Sequence, residues 1–154
     1  MYNLLFPSST TFFRGLNMTE VSKSIGFLLA KAYQRACALY KEKFGNYELT
    51  PQQFGLLRFL WEEDGITQVE LSTRSQIDRT TIGGLIDRLE QSGLLERLPH
   101  PEDRRAYRIS LTQAGRGLEA ELTPLTEELN RAILEPLSSA EVKTLLTILQ
   151  KLKQ

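Results

Sequence analysis

Eight arginines and no lysine lie between positions 74 and 116 of this 154-residue chain. Their neighbours suit recognition better than covalent chemistry. Arg79 opens the run Arg79-Thr80-Thr81, Arg88 follows downstream, and Arg104-Arg105 form a pair in a polar stretch. A guanidinium can grip both acceptors on a guanine edge, and a threonine can meet a thymine methyl or a phosphate. Ser75 and Gln76, just upstream, add further hydrogen-bonding groups. Catalysis finds little footing, because the chain has one histidine, His100, and one cysteine, Cys37, with no phosphate loop and no metal-ligand spacing. We therefore expect no enzyme, no catalytic residue, no cofactor and no metal. A lone cysteine cannot build a disulfide framework and points to a reducing compartment, the cytoplasm by default. No apolar run approaches the ~20 residues of a membrane helix, so no membrane partner is expected.

Net charge complicates the arginine argument. The chain carries 19 Lys and Arg against 19 Asp and Glu, a formal charge of zero, which by itself disfavours a nucleic-acid partner. The distribution is uneven. Residues 74–116 set eight cations against six acids, residues 117–154 set four against six, and residues 1–73 balance seven with seven. A mildly basic middle is followed by a mildly acidic end.

Elements able to hold these side chains can be read from periodicity and caps. From Val21 to about Phe44, apolar residues recur at helical spacing. Thr50-Pro51-Gln52-Gln53 opens a second helix, and Thr67-Gln68-Val69-Glu70 opens a short third one, each with the spacing of a capping box. After a tight break at Ser75-Gln76-Ile77, Asp78 is placed to cap a helix whose buried stripe is Ile82, Leu85, Ile86 and Leu89. The amide groups of its first turn are expected to form a weak anion site suited to a phosphate. Ser92-Gly93 ends that helix. The period then changes to that of two strands, Leu94 to Leu98 and Tyr107 to Leu111, in which Tyr107, Ile109 and Leu111 are expected to face inward. The polar loop between them carries Asp103, Arg104 and Arg105. Thr112 caps a long helix interrupted by Pro124, which removes an amide donor and should kink it, and Ser138 to Glu141 caps the last. Gly83-Gly84 lowers the intrinsic stability of the groove-reading helix, so close approach to DNA or tight packing against a neighbouring helix has to compensate.

Two short helices, a short break and a two-stranded ribbon with a basic tip describe a winged helix-turn-helix. The second helix would enter a major groove. Ser75, Gln76, Arg79, Thr80, Thr81, Gly84 and Arg88 are its candidate contacts, with Asp103, Arg104 and Arg105 in a wing laid along the backbone and reaching the minor groove. The stretch from Asp78 to Arg97, followed by Pro101-Glu102-Asp103-Arg104-Arg105 and Ile109-Ser110-Leu111-Thr112, closely resembles the MarR family of bacterial regulators. The resemblance runs from about Val21 to Leu152. It implies a homodimer built from the terminal helices, and a winged domain in each subunit. It also implies binding to pseudo-palindromic double-stranded operator DNA, usually as a repressor. Arg105 would be the wing-tip arginine, and Asp103 would hold the tip by pairing with a nearby arginine.

The expected fold is mainly α with a small β wing, flanked by N- and C-terminal dimerisation helices. Residues 1–17 read as an extension or leader, with Met18 as an alternative start, or else as a segment packing on a partner subunit. Residues 18–49 form the first dimerisation helix, 50–112 the DNA-binding domain and 113–154 the C-terminal dimerisation helices. The terminal helices carry more apolar surface than one small winged domain can cover, which supports the dimer independently.

Control is less specified. The resemblance implies a further device, since many relatives release DNA when a small, often aromatic or phenolic molecule fills a crevice between the dimer helices and the winged domain. Phe27, Tyr33, Tyr40, Phe54 and Trp61 are the candidates to line one here, against the alternative that they are core. Redox sensing through Cys37 is a second option, with Lys41 one helical turn away to favour a thiolate. A third reading is a winged-helix module that binds protein and not DNA.

Overall fold

The computed structural model describes residues 20–153. The extension expected at residues 1–17, and Met18, lie outside them. Nine elements beyond single 3-10 turns are described: α1 (Ile25–Phe44), α2 (Pro51–Glu62), β1 (Ile66–Thr67), α3 (Gln68–Ser75), α4 (Arg79–Gln91), β2 (Leu95–Pro99), β3 (Tyr107–Leu111), α5 (Gln113–Leu134) and α6 (Ser139–Leu152). Two compact units divide between Ala38 and Leu39, inside α1.

The helix starts follow from local chemistry. Thr50, Thr67 and Ser138 each accept the amide three residues on, while Gln53, Glu70 and Glu141 reach back to the cap, satisfying donors that a helix leaves free. Thr112 caps α5 through the Gly115 amide. At the end of α4, Gly93 takes φ +71° and a Schellman pair of hydrogen bonds forms, Gly93 N–H to the Glu90 carbonyl and Leu94 N–H to that of Leu89, both at 2.9 Å. The first helix begins later than its periodicity predicts. Val21–Lys23 is a 3-10 turn, and Ser24 is extended, its hydroxyl accepting the Phe27 amide at 3.3 Å, so α1 starts at Ile25.

In the larger unit, one core joins the C-terminal turns of α1, helices α2 to α5 and the sheet. Leu56, Leu57, Leu60, Leu71, Ile82, Ile86, Leu89 and Leu122 are sealed within it. The sheet has three antiparallel strands in the order β1-β3-β2, with Ile66 opposite Ile109 and Arg97 opposite Ile109 on the other side. The two-stranded ribbon expected from sequence thus gains a short third strand. This changes what β3 buries. Tyr107, expected inward, is 57% exposed because β1 ends at Thr67, opposite Arg108, and does not reach it. Ser110, expected outward, is 7% exposed, because the loop before β1 lies over it; a Cβ on Gly65 would stand 3.6 Å from its hydroxyl. Asp64 ties that loop down, accepting the Leu111 amide at 2.8 Å and pairing with Arg116 at 2.6 Å.

Gly115 marks a close crossing, since a Cβ there would meet the Leu94 carbonyl oxygen at 2.2 Å. Its own carbonyl accepts the Trp61 indole N–H at 3.0 Å. Pro124 lies inside α5. In the smaller unit, α1 exposes Ile25, Leu28, Leu29 and Tyr33. No helix among the described residues is long and apolar enough to cross a membrane.

Candidate nucleic-acid interface

The sequence of α4 fixes its two faces. Ile82, Leu85, Ile86 and Leu89 face the core, leaving Thr80, Thr81, Gly84 and Arg88 on one solvent-facing stripe, spaced by three and four residues. Asp78 caps this helix, its Oδ1 accepting the amides of Thr80 at 3.1 Å and Thr81 at 3.0 Å. Hydrogen bonding from the Thr81 side chain first, then from these amides, holds the Asp78 carboxyl below its ordinary range. The two glycines differ. A Cβ on Gly83 would meet the Gln68 amide nitrogen at 3.3 Å, whereas a Cβ on Gly84 would meet nothing within 4 Å. Gly83 serves the α3–α4 contact, and Gly84 leaves a flat place in the exposed stripe.

The turn before α4 is built from its own polar groups. Gln76 adopts a left-handed φ of 56°, and it is exposed. The Ser75 hydroxyl accepts the Ile77 amide at 3.4 Å, and the Ser72 hydroxyl donates to the Ile77 carbonyl at 2.6 Å. Ser75 is therefore engaged in shaping the turn.

At the wing, the His100 amide donates to the Ala106 carbonyl at 3.1 Å, and His100 Nδ1 accepts the amides of Glu102 and Asp103 at 3.3 and 3.2 Å. Asp103 holds the tip through the backbone: Oδ1 accepts the Arg105 amide at 2.9 Å, and Asp103 forms no ion pair among the described residues. The resemblance had implied an arginine side chain as its partner. The short two-residue reach favours the amide, as in other Asx turns.

Ion pairing sorts the eight arginines of the winged segment. Arg74 pairs with Glu63, Arg97 with both Asp87 and Glu90, and Arg116 with Asp64. Arg79, Arg88, Arg104 and Arg105 are exposed and outside every ion pair among the described residues, while Arg108 is half-buried on β3. Of the six acids in this segment, Asp87 and Glu90 are taken up by Arg97 and Asp78 caps α4, so the four exposed arginines left outside ion pairs dominate the potential along the α4 stripe. Arg79 and Arg105 are brought together on one groove of about 310 Å³, with Thr67, Gln68, Arg97 and Tyr107 in its walls.

The five aromatic candidates have different environments. Tyr40 and Phe54 are each 6% exposed and pack with Phe44, whose ring stacks on Tyr40 at 4.5 Å; burial pushes the Tyr40 phenol up to about 12. Trp61 is half-buried beside a groove of about 350 Å³ whose other walls include Arg58, Glu62, Glu119, Thr126 and Asn130. In the smaller unit, Phe27 lies under the Lys31 ammonium at 5.5 Å, and Tyr33 shares a hydrogen bond with half-buried Cys37 that raises the phenol's pKa. Two further residues brace the candidate interface. Gln68 donates to the Arg79 carbonyl at 3.2 Å, and Arg97 bridges β2 to α4; neither type nor spacing singles them out.

The chain is similar to known regulators over most of its length. The sequence profile of the MarR family matches residues 49–107. The transcriptional repressor NicR of Pseudomonas putida is 31% identical over 133 residues, covering 86% of this chain and 84% of NicR. A structure of Bordetella bronchiseptica BpsR, whose DNA binding is regulated by 6-hydroxynicotinic acid, superposes with a TM-score of 0.82 at 31% identity over 88% of this chain and 96% of that one. A cysteine-to-serine variant of MarR from E. coli in complex with operator DNA gives 0.77 at 29% identity, over 83% and 92%. With the cap-defined helix pair, the three-stranded wing and these likenesses together, the chain belongs to the MarR family of winged-helix transcriptional regulators.

Proposed function

We propose that this chain is a homodimeric, sequence-specific DNA-binding repressor, released from its operator by a small molecule. The observation that carries the reading is the sorting of arginines: Arg79, Arg88, Arg104 and Arg105 are exposed around the α4 stripe and the wing and outside every ion pair among the described residues, while Arg97 takes up Asp87 and Glu90. The α4 stripe reads the major groove, and Arg105 enters the minor groove. Residues 50–112 act as the DNA-binding domain, and segments 18–49 and 113–154 join two subunits. Supporting that division, α6 has no buried residue although Leu146, Ile148, Leu149 and Leu152 are on it, and Ile25, Leu28 and Leu29 of α1 are open as well. Two-fold symmetry then places two copies of α4 on successive major-groove turns of a pseudo-palindromic site.

The groove beside Trp61 supports a small aromatic effector better than Tyr40 and Phe54, which the core occupies. NicR is a named repressor and the DNA binding of BpsR answers to 6-hydroxynicotinic acid, which recommends heteroaromatic acids as first probes. The half-buried free thiol of Cys37 is the redox alternative, tested by comparing operator release by peroxide in wild type and Cys37→Ser. The deciding experiment is selection of a DNA site from a random pool, followed by titration of that site with and without effectors. A pseudo-palindrome bound by a dimer supports the reading, and recovery of no preferred site overturns it.

A further inference from the structure

Arg97 lines the same groove as Arg79 and Arg105 and would be the obvious third cation for a phosphate. Its surroundings say otherwise. Arg97 is in the middle of β2, opposite Ile109, and its side chain is 27% exposed. One end of the guanidinium contacts the Asp87 carboxylate and the other that of Glu90. These two acids stand three residues apart on α4 and so share a face of the helix. Two carboxylates on one guanidinium leave the trio with a formal charge of −1, a poor partner for a phosphate. The planar fork, held at both ends, instead fixes a strand to a helix.

What that contact controls follows from the topology. Only Ser92, Gly93 and Leu94 separate α4 from β2, and the register of β2 with β3 carries the wing tip at residues 100–106. Any rocking of β2 against α4 is transmitted to Arg105. We propose that Arg97 is a positioning residue for DNA binding: by bracing β2 against Asp87 and Glu90, it sets the distance between the α4 stripe and the wing tip, hence the offset between major- and minor-groove contacts. This rests on the DNA-binding reading above.

The test exploits a conflict of sign. Removing two acids from a DNA-facing segment should tighten binding if long-range charge dominates. If the brace matters, Asp87→Asn combined with Glu90→Gln weakens binding to the selected operator at least fivefold, and Arg97→Gln weakens it similarly. Combining all three changes adds little further loss, because they break one unit. In a salt series Arg97→Gln keeps the wild-type slope, whereas loss of a phosphate contact would flatten it by about 0.9 per subunit. Thermal melts establish that each variant is folded, and Asp87→Asn alone and Arg97→Lys serve if the multiple variants are not. Operator binding by the acid-free variant that equals or exceeds wild type overturns the brace, as does a flattened slope for Arg97→Gln. Wild-type protein that binds no DNA overturns the DNA-binding reading and the brace with it; wild type that binds while the acid-free variant binds equally well overturns the brace alone.

Discussion

The Asp103 carboxylate accepts the backbone N–H of Arg105 at 2.9 Å, so the arginine proposed to enter the minor groove is held through its main chain by the side chain two residues before it. Asp103→Ala removes that acceptor and also one negative charge. We expect operator affinity to fall by roughly tenfold despite the charge gain, as loss of a charge-assisted hydrogen bond would give. Asp103→Asn keeps an acceptor oxygen and should retain most of the binding. Titration of labelled operator at one salt concentration distinguishes the two.

Gly84 and Gly83 should part company. At Gly84 an added Cβ meets nothing within 4 Å, so Gly84→Ala should stabilise α4 by up to about 1 kcal/mol through helix propensity alone. The same methyl stands on the stripe assigned to DNA and should weaken operator binding. Gly83→Ala must displace the Gln68 amide, 3.3 Å away, and gains less stability. Urea denaturation read beside operator titration tests both; higher stability with unchanged affinity in Gly84→Ala would remove that face from the interface.

Gly115→Ala is expected to be the costliest of the glycine changes. The obstacle, the Leu94 carbonyl oxygen at 2.2 Å, is backbone and cannot rotate away. Overpacking of this kind costs about 1–3 kcal/mol. The urea midpoint of the variant measures it, and an unchanged midpoint would contradict the close crossing of α5 over the chain at Leu94.

Acid should destabilise the fold through its helix caps. Backbone and side-chain hydrogen bonds from Thr67 lower the Glu70 pKa, those from Thr81 lower that of Asp78, and those from Ser138 lower that of Glu141. Each carboxyl is more acidic in the fold than its ordinary value of 3.8 for Asp78 or 4.5 for the glutamates. Their stabilisation is therefore complete above those values and is lost as pH falls through the lower folded ones. Urea midpoints should hold steady in this respect from neutral pH down to about 5 and then decline, and Asp78→Asn should make the decline shallower.

Chain-local features of this fold can be read from sequence, and features made by distant partners cannot. Thr50, Thr67, Asp78, Thr112 and Ser138 all cap helices where their spacing predicts, because a cap needs only residues within one turn. Strand β1 is two residues long and exists by pairing with β3 more than forty positions away, so no period announces it. The exposure of Tyr107 follows from where that pairing stops, and the burial of Ser110 from the loop that leads into β1, so alternation along β3 gives neither. The same limit applies at the interface. Arg79, Arg88, Arg104 and Arg105 declare themselves by type and place, whereas Arg97 looks like one more surface charge until Asp87 and Glu90 are seen around it. Aromatic spacing along α1 and α2 likewise does not separate the exposed Phe27 and Tyr33 from Tyr40 and Phe54, which are spent on packing with Phe44.

The salt dependence of operator binding, measured for wild type and Arg105→Ala, decides whether placed arginines drive recognition. For the wild type the logarithm of affinity should fall linearly with the logarithm of salt concentration. Arg105→Ala should bind more weakly, with a slope flattened by roughly two per dimer, one wing contact from each subunit. Binding that ignores salt, or an Arg105→Ala protein with the affinity and slope of wild type, would contradict it.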